Sequence, residues 1–68
     1  MDTCEVFCKL LRETEKAVLI QQGDKTWWIP RSIIPIMRKD SKELPTTACI
    51  EVEDWFLDKP ENKDIDAR

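Results

Sequence analysis

A chain of 68 residues with net charge −3, 41% hydrophobic and 37% charged, is bounded to one small domain. A core of that size supplies roughly 3–5 kcal/mol, too little to hold a large catalytic scaffold rigid without a staple. No histidine is present, so Ser-His and Cys-His pairs are excluded; a single glycine cannot build a phosphate-cradling loop.

From the start of the chain, Met1-Asp2-Thr3-Cys4-Glu5 has no apolar run of the secretory kind. No stretch approaches the ~20 apolar residues of a membrane span. The expectation is a cytoplasmic protein with reduced thiols. Residues 4–11 read two ways. As a strand, Val6, Cys8 and Leu10 share one face, with Phe7 and Leu11 stranded on the polar one. As a helix, Phe7, Leu10, Leu11, Thr14 and Val18 share a stripe, with Asp2 and Glu5 as a capping pair.

Glu13 to Lys16 is a polar turn, and Ala17 to Gln22 is a β-branched strand. Gly23-Asp24 forms a two-residue hairpin loop in which glycine supplies the positive φ. Thr26 to Ile29 returns, and Pro30 ends the strand because it has no N–H for a ladder. Arg31 to Ile34 allows one helical turn before Pro35. Residues 37–46 read as a charged loop. Thr46 to Glu53 alternates cleanly, with Ala48, Ile50 and Val52 on one face. Asp54 is placed as the N-cap of a short helical piece, Trp55 to Lys59. The domain is expected to span residues 1–60. Residues 61–68, with Ile65 as their one strong hydrophobe, are expected to form a disordered tail.

The three cysteines invite a metal reading. On a strand, Cys4 and Cys8 lie ~13 Å apart, beyond the ~7 Å reach of a disulfide. Structural zinc takes four Cys or His ligands. The expectation is therefore no metal, no cofactor, and three thiols packed as small hydrophobes.

Charge is uneven. Residues 24–42 carry +3, through Lys25, Arg31, Arg38, Lys39 and Lys42, whereas residues 43–68 carry −5. Adjacent Trp27 and Trp28 point to opposite faces of a strand, so either one fills the core while the other stands in solvent, or both are covered, one of them by the C-terminal helical piece. An exposed tryptophan beside Arg31 has the composition of a protein-binding hot spot. The alternative is single-stranded nucleic acid, stacked on the aromatics and tracked by Lys25, Arg31, Arg38, Lys39 and Lys42. Overall acidity and the lack of one basic stripe speak against it.

In order and spacing, Glu13-Thr14-Glu15-Lys16-Ala17, Trp28-Ile29-Pro30-Arg31-Ser32 and Ile50-Glu51-Val52 leading into Trp55-Phe56 carry a resemblance. Over residues 12–59 the chain resembles a family of small uncharacterised proteins of phages and prophages. The resemblance implies the strand reading of residues 4–11, a compact β fold and a phage origin, hence a host cytoplasm. It implies no particular activity. Ile33 stands where the family usually has Gln, and Trp27 and the long loop 35–46 are departures. The expected fold is three or four antiparallel strands in a meander, curled into a small SH3-like or OB-like barrel with a short C-terminal helical piece. The expected function is that of a non-enzymatic accessory module binding a protein partner. Homo-oligomerisation through an edge strand is a further option.

Overall fold

The structure, a computed structural model, describes residues 2–68. It is mainly β: five antiparallel strands in one sheet, β1 (Thr3–Glu13), β2 (Ala17–Gln22), β3 (Lys25–Pro30), β4 (Ile36–Lys39) and β5 (Thr46–Glu53). A 3-10 turn, η1 (Arg31–Ile33), joins β3 to β4; a helical turn, α1 (Asp54–Leu57), and a second 3-10 turn, η2 (Pro60–Asn62), follow β5. The strand order is β3-β2-β1-β5-β4, so the meander is closed by pairing its first strand with its last, and β3 and β4 are the two edges.

Residues 4–11 are strand, not helix, because β1 is the centre of the sheet and its even-numbered side chains are the core. Val6, Cys8 and Leu10 are buried while Glu5, Phe7 and Lys9 are exposed. Val18, Ile20, Ile29, Ala48, Ile50 and Val52 meet them from the neighbouring strands, and Ile33, Phe56 and Ile65 close the ends. Pairing with β5 runs from Thr3 to Leu10, and pairing with β2 from Lys9 to Glu13. A register shift between Leu10 and Arg12 puts one extra residue into β1 at the changeover. Such a bulge sharpens the local twist, which suits a strand serving both halves of a curled sheet.

Several expectations change. The loop expected over 37–46 begins inside β4, which was hidden because four residues with Arg38 and Lys39 among them carry no alternation. It is held only by β5, through Ile36–Glu51 to Lys39–Ala48. Asp54 is not the N-cap of α1: Glu53 occupies that position, and the Asp54 carboxylate instead accepts the Cys4 thiol proton at 2.8 Å. All three cysteines are free thiols, but only Cys8 is buried; Cys4 and Cys49 are half-exposed. Burial pushes the Cys8 thiol up to about 11.

The largest correction concerns residues 61–68, expected to be a disordered tail. Ile65 is buried, and buried Asn62 donates from Nδ2 to the Phe56 carbonyl at 2.8 Å. Glu5 and Arg68 exchange both backbone hydrogen bonds, each 2.8 Å. The Gln22 side-chain amide donates to the carbonyls of Phe7 and Asp66, each 2.9 Å, and accepts from the Asp66 N–H at 2.8 Å. The last residues therefore run antiparallel along β1 where β2 has ended, with Gln22 splicing the two. The N–H and C=O groups of β1 demand partners, and the strap supplies them.

Candidate functional site

Trp27 and Trp28 separate as strand geometry requires. Trp27, opposite Ile20, is half-buried and packed against the core. Trp28, opposite Leu19, stands on the outer face and is 51% exposed. It lies on β3, an edge strand paired only with β2.

The β2–β3 hairpin shows which backbone groups that edge offers. Its two-residue loop, Gly23-Asp24, has Gly23 at φ 62° and is flanked by the pair Gln22–Lys25. A loop of this kind closes on a pair that exchanges both hydrogen bonds, and bonded and non-bonded pairs then alternate. Lys25, Trp27 and Ile29 turn their N–H and C=O toward β2. The alternation reaches Arg31, whose N–H bonds the Lys16 carbonyl at 2.8 Å. Thr26, Trp28 and Pro30 turn theirs outward. Pro30 has no N–H, so it sits where none is needed and ends the usable edge. Thr26 and Trp28 thus present unpaired donors and acceptors beside a large exposed indole.

The basic residues do not join this site. The Arg31 guanidinium is tied by Nη2 to Glu13 Oε2 at 2.5 Å and by Nε to the Thr14 carbonyl at 2.7 Å. Lys39 Nζ reaches the other Glu13 oxygen at 2.6 Å. Glu13, at the end of β1, thereby links the exit of β3 to the end of β4. The hydrogen bond from Lys39, helped by that from Arg31, holds the Glu13 carboxyl below its ordinary range. Arg31 and Lys39 are structural clamps rather than a cationic patch. Arg38 lies on the outer face opposite Cys49, at the far edge of the sheet from Trp28. Lys42 is exposed in the loop between β4 and β5.

Two exposed aromatics fall outside the expected set. Phe7, 52% exposed, borders a shallow groove of about 650 Å³ with Arg38, Thr47 and Cys49, and the Arg68 guanidinium lies 5.3 Å from its ring centre. Its place on the polar side of β1 was the available signal. Trp55, 45% exposed on α1, has Lys59 Nζ 5.2 Å from its ring centre. Both rings carry a cation from their own chain; among the described residues none lies over Trp28. Among the described residues no group of three or more His, Cys, Asp or Glu is arranged to hold a metal, and no helix is long and apolar enough to cross a membrane. Comparison with protein-family models, with curated proteins and with solved structures finds no match to this chain.

Proposed function

We propose that the chain is a non-enzymatic protein-binding module whose recognition element is the β3 edge, with Trp28 as its anchor. One observation carries this reading: Trp28 is half-exposed on an edge strand where its own backbone and that of Thr26 are unpaired. An extended segment of a partner adds to such an edge through main-chain hydrogen bonds, and a neighbouring pocket or ring supplies selectivity. Tryptophan is the residue type most enriched among binding hot spots. The meander closed by β1–β5 pairing and bent at the bulge supports the SH3-like description of the scaffold. The resemblance to small phage and prophage proteins supplies the setting, an accessory protein acting on a host protein in the host cytoplasm. Nucleic-acid binding would draw on Arg31, Arg38, Lys39 and Lys42, but Arg31 and Lys39 are both tied to Glu13, whose one negative charge offsets half of theirs, which favours the protein partner.

The test is affinity capture from bacterial lysate with wild-type, Trp28→Ala and Phe7→Ala proteins, with and without nuclease. A specific protein should be retained by wild type and Phe7→Ala and lost with Trp28→Ala, a loss of about 2 kcal/mol or more for a hot-spot tryptophan. Retention by Trp28→Ala, or loss on nuclease treatment, would refute the reading.

A further inference from the structure

The β3 edge is complementary to itself, and we propose that its partner strand is β3 of a second copy, in one defined register. This rests on β3 being the recognition element, as above; the edge holds one strand at a time, so the second copy and a host protein compete for it. Two copies sharing a continuous sheet across a two-fold axis must pair β3 antiparallel with β3, residue for residue about a centre. Centring on Trp28 sets Thr26 opposite Pro30, which lacks the N–H that the pair requires. Centring on Thr26 sets Trp28 opposite Asp24, in the hairpin loop. Centring on Trp27 sets Trp28 of each copy opposite Thr26 of the other. Both residues turn their N–H and C=O outward, so each such pair exchanges two hydrogen bonds. Every outward donor and acceptor of Thr26 and Trp28 is then used, and Pro30 falls outside the ladder.

The side chains agree with that register. Trp27 of each copy faces its equivalent in a non-hydrogen-bonded pair, the closer of the two pair types. On the outer face the two Trp28 rings lie diagonally across the axis, within reach of aromatic side chains. Lys25 comes opposite Ile29, and Asp24 beside Pro30 and Arg31, so no like charges oppose one another. The indole of Trp28, half-exposed in the single chain, gains a cover from the second copy.

The experiment is sedimentation velocity together with amide hydrogen exchange, from micromolar to millimolar protein. Wild type should shift from monomer to dimer over that range. Protection should rise with concentration at Thr26 and Trp28 and stay constant at Trp27 and Ile29, whose amides already bond β2. Thr26→Pro removes an N–H that the monomer does not use; it should keep the wild-type circular dichroism and lose the dimer. Should Thr26→Pro fail to fold, the residue pattern of wild-type protection decides alone. A wild type that stays monomeric throughout, protection that rises elsewhere than at Thr26 and Trp28, or a folded Thr26→Pro that dimerises like wild type overturns the proposal. A monomer that still captures another protein through Trp28 would sink this inference and leave the edge-recognition reading standing.

Discussion

At the scale of single residues, Gly23 and Glu13 carry consequences out of proportion to their size. Gly23 sits at φ +62° with nothing within 4 Å of where a Cβ would stand, so a side chain there meets backbone strain and no clash. Gly23→Ala should therefore destabilise by about 1 kcal/mol, read as a lower midpoint in urea, with no change in sheet content by circular dichroism. Glu13 has its carboxyl held below the ordinary glutamate value of 4.5 in the folded state. Its contribution is complete above that value and is lost as pH falls through the lower folded one. Thermal melts taken downward from neutral pH should show wild type losing stability through that window. Glu13→Gln, already weaker at neutral pH by about 1 kcal/mol or less because the clamp is partly exposed, should show a flatter acid limb. Equal acid limbs would remove Glu13 from the account. Both residues were legible only in part. The glycine was read from its loop, whereas a lone glutamate among charged neighbours gives no hint that Arg31 and Lys39, distant in sequence, converge on it.

At the scale of elements, β2, β3 and β5 followed from alternation and turn chemistry, because both signals are written within the segment itself. β4 and the strap did not: β4 is four residues without alternation, held by the next strand, β5, and the strap is held by β1, distant in sequence. Ile65 illustrates the difference. Surrounded by Asp64, Asp66 and Lys63 it reads as a solvated tail, yet it is buried, and the strap it anchors pairs with Glu5. Ile65→Ala should cost about 2–4 kcal/mol, the range for truncating a buried aliphatic side chain. It should also raise the exchange rates of the Arg68 and Glu5 amides well above those of β5. A surface-like effect below about 0.5 kcal/mol would show that the strap is dispensable. The candidate site has the same split. That Trp27 and Trp28 face opposite ways followed from strand geometry; that the outer one is left uncovered by the C-terminal helical piece did not. Which of them is the outer one depends on the side of the sheet that faces the core, and that is set by the pairing of β1 with β5.

At the scale of the whole molecule, a chain of radius of gyration 10.9 Å holds its sheet together at two places where distant segments meet, Glu13 with Arg31 and Lys39 at one and Glu5 with Arg68 at the other. The second meeting has a bearing on chain connectivity. Because residues 66–68 run antiparallel to β1 and Arg68 stands opposite Glu5, the ends of the described chain approach each other as the two arms of a hairpin would. Joining them with a linker of about four to six residues should complete that hairpin, and the ring so formed can be cut elsewhere. A circular permutant opened within the exposed loop between Lys39 and Thr46 would begin with β5, pass through the strap directly into β1, and end with β4. It should reach the same sheet, because the strap and β1 would then meet as neighbours in sequence. Refolding should be faster than that of the parent, since a contact that closes most of the chain becomes a local one. Stopped-flow tryptophan fluorescence on the two proteins gives the comparison, and a permutant that folds more slowly would show that closure of the strap is not an early constraint on this fold.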